Sequence, residues 1–169
     1  GLHYSLNNTS VYAMPGVPNE MKSMMLRYVI PNISKKIKKV LYVKTLKTIG
    51  KGESSIAEQI QPLIDNHSDS CSIAYLPQIS GVDIRISSSN NTKFEEFLEK
   101  LKNKLGICVY GEDNDTLENI TGKLLIKKDM TIAVAESCTG GLLNHHFTSV
   151  SGSSKYMKGG VVAYSNEIK

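Results

Sequence analysis

The stretch Val134-Ala-Glu-Ser-Cys-Thr-Gly-Gly141 decides how the carboxyl-terminal third of this chain folds. The run from Thr131 to Ala135 is too continuously apolar to have one wet face, so it predicts a buried parallel strand. Small polar residues and two glycines follow, and they predict a turn into a helix over Thr139 to Val150. A strand that ends at a helix N-terminus gathers backbone N–H donors, which suits a phosphate or an oxyanion.

Four residues of this turn, Ser137, Thr139, Gly140 and Gly141, are candidates for binding a ligand. The two hydroxyl groups can donate hydrogen bonds, and glycines let the backbone approach a ligand closely. An ordinary helix N-cap with a tight turn is the alternative, and the sequence leaves both open. Cys138 is a weaker candidate for a thiol nucleophile, because no histidine is obviously placed as its base.

Three side chains further along make this end of the chain a candidate catalytic site. They are Ser154, which closes Ser151-Gly-Ser-Ser154, and the two ends of Tyr164-Ser-Asn-Glu-Ile-Lys169. A nucleophile, a phenol and an amine suffice for acyl transfer without histidine. Lysine acts as a general base only where burial or nearby cations lower its pKa. Spacing alone favours the plainer alternative of a solvated serine loop, a strand-end tyrosine and a terminal lysine.

Composition and cysteine usage narrow the class of protein. The 169 residues carry a net charge of +4, with 40% hydrophobic and 21% charged residues, as in ordinary globular proteins. Cys71, Cys108 and Cys138 lack CxxC spacing, so neither a disulfide framework nor a zinc site is indicated. The adjacent His145 and His146 would point about 100° apart on a helix, which disfavours a shared metal. Because no apolar run approaches about 18 residues and no leader is evident, we expect a cytoplasmic protein without a membrane segment.

The hydrophobic pattern divides the chain into three blocks. Residues 1–39 hold a short strand, a Pro15-Gly-Val-Pro18 turn and a helix from Asn19, which are too little to bury a core. Residues 40–110 show the order β-α-β-β-α-β, an α+β unit with helices on one face of a small sheet. Residues 111–169 begin with an acidic linker and continue as the start of a three-layer α/β domain. We therefore expect a chain cut at both ends.

The strands of the middle block follow from alternation and turn chemistry. Val40 to Ile49 is rich in β-branched residues, which predicts a strand. Val82 to Ser87 alternates strictly between apolar and polar residues, which predicts another. The segment Pro77 to Gly81 predicts a hairpin turn that pairs this second strand with Ser72 to Leu76. A last short strand is predicted over Ile107 to Tyr110.

At these residues the chain resembles the CinA family (competence/damage-inducible protein A). Ala135-Glu-Ser-Cys-Thr-Gly-Gly141, Ser151-Gly-Ser-Ser154 and Val161-Val-Ala-Tyr-Ser-Asn-Glu-Ile-Lys169 are similar, in order and spacing, to motifs of its C-terminal amidase domain. Gly50-Lys-Gly-Glu-Ser-Ser55 resembles its KH-like middle domain. Met14-Pro-Gly-Val-Pro-Asn-Glu-Met21 resembles the closing motif of its molybdopterin-binding-like domain. The resemblance covers the whole chain, as an internal segment of a longer family member.

This resemblance implies hydrolysis of nicotinamide mononucleotide to nicotinate mononucleotide and ammonia, a step of pyridine nucleotide salvage. Ser154 matches the family's nucleophile, Lys169 its general base, and Tyr164 the residue that orients and relays the proton. Ser137 matches a serine of the substrate pocket, and the backbone of Thr139–Gly141 would hold the phosphate or the oxyanion. The resemblance implies no metal or cofactor for this half. We expect the small nucleotide as the partner, and a homo-oligomer.

Other activities remain as alternatives. The family's glycine-rich loop and substrate-binding arginine lie downstream of the matched motifs, so we expect this segment alone to be inactive. An ADP-ribose pyrophosphatase with a divalent metal belongs to the family's N-terminal domain, of which residues 1–39 would be the end. KH domains bind nucleic acid through a GxxG loop, which residues 40–110 lack. The middle block is therefore interpreted as a structural or dimerising connector rather than a nucleic-acid-binding module.

Two lysine clusters are also interpreted as solvated helix faces rather than nucleic-acid surfaces, because no aromatic residues are interleaved with them. Their members are Lys35, Lys36, Lys38 and Lys39, and Lys100, Lys102 and Lys104.

Overall fold

A computed structural model describes residues 1–7, 9–37 and 40–169 of the chain. These residues form two units, Gly1–Leu41 and Tyr42–Lys169. Two members of the first lysine cluster, Lys38 and Lys39, lie outside the described residues.

The first unit is a hairpin followed by a helical segment. Its strands pair antiparallel and are β1 (Leu2–Leu6) and β2 (Thr9–Ala13). Its helical segment consists of α1 (Pro18–Met24), a π-helical turn (Met25–Val29) and α2 (Ile30–Ser34). Pro18 stands in the first turn of α1, where its missing N–H leaves no hydrogen bond unmade. The predicted strand and helix are present, and β1 and the π-helical turn are additions to the prediction.

The second unit begins with a four-stranded antiparallel sheet of order β4-β5-β3-β6. The strands are β3 (Tyr42–Thr48), β4 (Ser72–Pro77), β5 (Val82–Ser88) and β6 (Val109–Glu112). The predicted hairpin between β4 and β5 is confirmed, and the amide of Gln78 donates to the carbonyl of Gly81 at 2.9 Å. The last strand starts two residues later than predicted, because a 3₁₀ turn over Gly106–Cys108 precedes it.

Two helices, α3 (Glu53–Asp65) and α4 (Asn91–Leu105), pack on this sheet and bury its core. The side chain of Asn90 caps α4 by accepting a 3.0 Å hydrogen bond from the amide of Lys93. The core combines the predicted alternating strand positions with the apolar stripes of the two helices. Its most buried members are Leu46, Ile56, Ile60, Ile84, Ile86, Phe97 and Leu101. The predicted fold class, a β-α-β-β-α-β unit followed by the start of an α/β domain, is therefore confirmed.

The rest of the second unit is a helix-strand-helix-strand segment. Its elements are α5 (Leu117–Lys127), β7 (Ile132–Glu136), α6 (Leu142–Thr148) and β8 (Met157–Val162). The two strands pair parallel, in agreement with the parallel strand predicted over Thr131 to Ala135. Tyr156 is 1% exposed and packs edge-on against Phe147, with ring centroids 6.5 Å apart. Gly122 of α5 leaves room for it, because a Cβ there would lie 2.8 Å from the tyrosine hydroxyl.

The acidic stretch that was predicted as a linker after residue 110 is anchored to the sheet. Glu112 is the last residue of β6, and its Oε1 forms an ion pair with Nζ of Lys102 at 2.6 Å. Asp113 accepts 2.9 Å and 3.0 Å hydrogen bonds from the side chain of Lys44 and the amide of Thr45. These carboxylates hold the stretch against the sheet because they form ion pairs with Lys102 of α4 and Lys44 of β3. Within the described ranges, no helix is both long and apolar enough to cross a membrane.

Candidate functional site

The parallel pairing of β7 and β8 brings two predicted site residues to one edge of the sheet. Glu136 is opposite Val162 in the register, and the amide of Ala163 donates to the carbonyl of Glu136 at 2.8 Å. Ser137 and Tyr164 therefore leave their strands at the same end. We call this end the carboxyl edge, and ligands of open α/β sheets bind outside such edges.

Glu136 organises the carboxyl edge, and it is not among the site residues predicted from the sequence. Its side chain is buried, and its carboxylate accepts hydrogen bonds from the amides of Leu143 at 2.9 Å and Asn144 at 2.8 Å. These amides belong to the first turn of α6, where backbone donors have no partner within the helix. Glu136 therefore acts as the side-chain cap that α6 otherwise lacks.

Two opposing effects act on the pKa of Glu136. Burial favours the neutral form, but hydrogen bonds from the Thr139 hydroxyl and from the amides of Asn144, Leu143 and Gly141 favour the charged form. The hydrogen bonds outweigh burial, so the pKa lies below its usual value. The start of α6 thus holds a negative charge from the protein itself.

The turn between β7 and α6 is closed by backbone hydrogen bonds and by glycine geometry. The amide of Gly140 donates to the carbonyl of Ser137 at 3.1 Å, and that of Leu142 donates to Thr139 at 3.1 Å. Gly140 and Gly141 have φ of 61° and 98°, values that favour glycine. Glu136 fills the position at the helix start where the sequence predicted an anion. The ligand-binding roles of Ser137, Thr139, Gly140 and Gly141 stay predictions.

Gly160 lets α6 lie close to β8 beneath this turn. A Cβ at residue 160 would lie 2.7 Å from Cγ2 of Val134 and 2.8 Å from Oδ1 of Asn144. That amide oxygen is buried and has no hydrogen-bond partner within the described part of the chain. The small residue at this position is therefore needed for the packing of the helix that Glu136 caps.

Ser154 lies at the opposite end of β8. It belongs to a 3₁₀ turn, Ser153–Lys155, that follows α6 and is separated from the strand by Tyr156. The amide of Ile132, the first residue of β7, donates to the carbonyl of Tyr156 at 2.8 Å. We call this end the amino edge. The structure therefore places Ser154 at one edge and Tyr164 at the other.

The predicted catalytic trio is not assembled within one copy of the chain. Tyr164 is 71% exposed, and Lys169 is exposed in a turn in which its amide donates to the carbonyl of Ser165 at 3.3 Å. Ser154 is exposed as well. Among the described residues, no side-chain hydrogen bond joins any two of the three. Their catalytic roles stay predictions.

The histidine and cysteine candidates have simpler surroundings. His146 pairs with Glu118 at 2.6 Å and so links α6 to α5. Cys138 is exposed, and none of the three cysteines forms a disulfide. In residues 1–7, 9–37 and 40–169, no group of three or more His, Cys, Asp or Glu side chains is arranged to hold a metal ion.

A sequence signal for Glu136 exists. A glutamate that ends an apolar parallel strand directly before a glycine turn and a helix is unusual, because buried charges are expensive unless they are paired. The amides at the start of the next helix are the nearest partners.

Two protein-family models match the chain. The model described as the damage-inducible protein CinA KH domain matches residues 43–111. The model described as the CinA C-terminal domain matches residues 114–169. Together they leave only residues 1–42 and 112–113 unmatched.

Curated relatives match over nearly the whole chain. A competence-damage inducible protein from Halothermothrix orenii is 39% identical over 100% of this chain and 42% of its own length. A CinA-like protein from Flavobacterium psychrophilum is 42% identical, again over 100% of this chain and 42% of its own length. One from Chlorobium phaeobacteroides is 39% identical over 96% of this chain and 40% of its own length. The chain thus spans about two fifths of the length of these relatives. With both domain models in order along it, the chain belongs to the CinA family.

Proposed function

We propose that the full-length protein hydrolyses the carboxamide of nicotinamide mononucleotide to nicotinate mononucleotide and ammonia. The observation that carries the proposal is the match of the CinA C-terminal domain to residues 114–169, the segment that holds Ser154, Tyr164 and Lys169. These three residues also stand in motifs that resemble those of the family's amidase domain, with the same order and spacing.

The proposed reaction is nucleophilic catalysis in two steps. The Oγ of Ser154 attacks the carboxamide carbon while its proton passes to the amine of Lys169, which must come within hydrogen-bond reach of Ser154 in the full-length protein because the trio is not assembled in this segment. The tetrahedral intermediate expels ammonia, which takes up that proton through the hydroxyl of Tyr164. Water then attacks the acyl-enzyme, and nicotinate mononucleotide leaves as the Ser154 hydroxyl is restored. No metal is required at any step.

The geometry of the carboxyl edge supports separate roles for its residues. The hydroxyl of Ser137 stands at the end of β7, in the position from which open α/β sheets contact ligands. Glu136 is expected to hold the turn rather than the substrate, because its carboxylate would repel a phosphate at the start of α6. The phosphate is therefore expected to bind elsewhere on the edge.

The test is ammonia release from nicotinamide mononucleotide by the full-length protein. Ser154→Ala should lower the rate by at least about a thousandfold, since it removes the attacking atom. Ser151→Ala, in the same loop, should stay within about twofold of the wild type and serves as the matched control. A wild-type protein that releases no ammonia would refute the activity. Full activity of Ser154→Ala would refute the nucleophile alone.

The same family membership supports further proposals about organisation. We propose that residues 1–39 are the end of a molybdopterin-binding-like domain, residues 40–110 a KH-like domain and residues 111–169 the start of the amidase domain. We also propose that the full-length protein is a cytoplasmic homo-oligomer. Any ADP-ribose pyrophosphatase activity with a divalent metal would reside in the N-terminal domain.

A further inference from the structure

We propose that Glu112 and Asp113 form an ionic latch that holds the two matched segments, residues 43–111 and residues 114–169, in one fixed orientation. These two residues are the ones that lie between the segments matched by the family models. The latch is a conformational device, because its release would open the cleft between the segments. It does not depend on the proposed amidase activity.

The two segments have separate hydrophobic cores. The core of the antiparallel sheet and its two helices lies within residues 42–109. The core of the carboxyl-terminal segment consists of Phe147, Tyr156 and Met157, with Leu125, Ile132 and Val134 packed against them. Within the described ranges, no residue belongs to both cores. Burial of apolar side chains therefore stabilises each segment by itself and does not fix how one segment is oriented on the other.

An open cleft lies between the segments. Its larger part has a volume of about 520 Å³ and is bounded by the tip of the β4–β5 hairpin and by α5 and α6. A smaller part of about 280 Å³ extends to Tyr110 of β6. Both parts are lined by Ile79 and Ser80 of the hairpin and by Leu117 and Glu118 of α5. The side chain of Ile79 is fully exposed, so it does not pack against α5 across the cleft.

The polar contacts across the boundary converge on Glu112 and Asp113. The two carboxylate oxygens of Glu112 lie 3.3 Å from Nζ of Lys44 and 2.6 Å from Nζ of Lys102. Asp113 accepts hydrogen bonds from Lys44 and from the amide of Thr45, and its own amide donates to the carbonyl of Thr45 at 2.7 Å. Among the described residues, every side-chain hydrogen bond or ion pair between residues 43–111 and residues 112–169 involves one of these two carboxylates.

The ion pairs of the latch form a network. Lys44 of β3 contacts both carboxylates, and Lys102 approaches Glu112 from α4. Isolated exposed ion pairs contribute little to stability, but several charges that restrain one another contribute more. Burial raises the pKa of Asp113, but the amide of Thr45 and the side chain of Lys44 lower it further, so the pKa lies below its usual value. The carboxylate is therefore charged at neutral pH.

The turn that contains the latch also carries α5. Asp113 has φ of 49°, in the left-handed region that aspartate tolerates better than most other residues. The amide of Glu112 donates to Oδ2 of Asp115 at 3.0 Å, and the amide of Asp115 donates to the carbonyl of Glu112 at 2.8 Å. Lys123 of α5 pairs with Oδ1 of Asp115 at 3.0 Å. Release of the latch from β3 and α4 would therefore move α5 together with its segment.

Distances between spin labels in the full-length protein test whether the latch fixes this orientation. In a background without native cysteines, labels are attached to Glu58→Cys in α3 and Lys127→Cys in α5, two exposed positions. Pulsed electron paramagnetic resonance should give one narrow distance distribution for the wild-type latch. The double variant Lys44→Ala with Lys102→Ala removes both cations and should widen that distribution at least about twofold, with added longer distances.

Two controls separate loss of the latch from other effects. Glu96→Ala removes an ion pair of 2.6 Å with Lys100, but both partners belong to α4, so the distribution should match that of the wild type. A second label pair, Glu58→Cys with Lys93→Cys, lies inside the sheet segment. It should stay narrow in every variant, which excludes unfolding as the cause of the widening.

Salt provides a readout that needs no change to the latch. At about 1 M sodium chloride the Debye length falls to about 3 Å, so the distribution of the wild-type latch should widen toward that of the double variant. The double variant should not respond to salt. A double variant that keeps the narrow distribution, or a wild-type latch whose distribution is already broad at low salt, would overturn the inference.

Discussion

The carboxylate of Glu136 accepts a 2.8 Å hydrogen bond from the backbone amide of Asn144, across the turn that joins β7 to α6. This bond matters because α6 has only seven residues, and a helix this short is marginal without tertiary support. A buried charge at its start satisfies the free amides and is stabilised by the positive end of the helix dipole. The structural role of the glycine-rich motif is therefore to form a capped junction between β7 and α6, whereas its ligand-binding role stays a prediction.

Replacement of Glu136 should reveal this capping role in the stability of the fold. Glu136→Ala leaves the amides of Leu143 and Asn144 without their acceptor, so the urea midpoint should fall measurably. Glu136→Gln keeps an acceptor but loses the charge, so its midpoint should fall less. The exposed Glu167→Ala is the control and should match the wild type. Equal midpoints for Glu136→Ala and Glu167→Ala would contradict the capping role.

Gly160→Ala should destabilise the packing of α6 on β8. The added methyl group would stand 2.7 Å from Cγ2 of Val134 and 2.8 Å from Oδ1 of Asn144, so side chains must shift. Overpacking of this kind costs about 1–3 kcal/mol in the free energy of unfolding, measurable by urea denaturation. Gly16→Ala places the same methyl group in open space and should change little. If both variants unfold at the wild-type urea midpoint, the close approach of α6 to β8 at Gly160 does not contribute to the free energy of unfolding.

The parts of the fold that could be predicted from the sequence are those where one pattern determines burial. Val82, Ile84 and Ile86 alternate strictly, and all three are buried in the central strand β5. Phe94 and Leu101 share a helical stripe that is buried against the same sheet. In both cases the spacing of apolar residues alone identifies the face of the strand or helix that is buried.

Other features depend on contacts that spacing does not encode. β1 (Leu2–Leu6) was not predicted, although Leu2, Tyr4 and Leu6 alternate with polar residues, and the burial that usually accompanies such alternation is absent from it. A strand close to Tyr164 was predictable from the sequence, but its start at Met157, which places Ser154 at its other end, was not. Glu136 has a role only because the turn returns the amides of α6 to its side chain. Candidate site residues could therefore be named from the sequence, whereas their arrangement in the fold could not.

A partly buried ion pair should contribute to the stability of the middle sheet. Nζ of Lys47 lies 2.7 Å from Oδ2 of Asp83, whose side chain is 8% exposed. Lys47→Met would leave that carboxylate without its cation, at an expected cost of about 2–3 kcal/mol in the free energy of unfolding. Asp83→Asn in the same background should recover part of the loss. The measurement is a double-mutant cycle by urea denaturation, and additivity within about 0.5 kcal/mol would show that the pair does not interact.

The pKa of Lys47 gives this pair a pH signature. The hydrogen bond to Asp83 raises that pKa against the opposing effect of burial. A raised pKa in the folded state means that the contribution is complete below the unfolded value of about 10.4 and is lost as pH rises through the folded value. The stability difference between the wild type and Lys47→Met should therefore be constant near neutral pH and shrink only in strong alkali.

Acid should weaken the junction at the end of β6. The hydrogen bond from Lys102 lowers the pKa of Glu112, burial opposes it, and Lys44 lowers the pKa further. A depressed folded-state pKa means that the contribution is present above the unfolded value of about 4.3 and is lost as pH falls through the folded value. Glu112→Gln should thus melt below the wild type at pH 7, and the two melting temperatures should converge below about pH 4. Glu58→Gln, at an exposed position of α3, is the control and should follow the wild type at every pH. The prediction fails if the melting temperatures of Glu112→Gln and the wild type differ by the same amount from about pH 7 down to about pH 3. In that case the charge of Glu112 adds no stability, and its contacts with Lys102 and Lys44 hold β6 by packing alone.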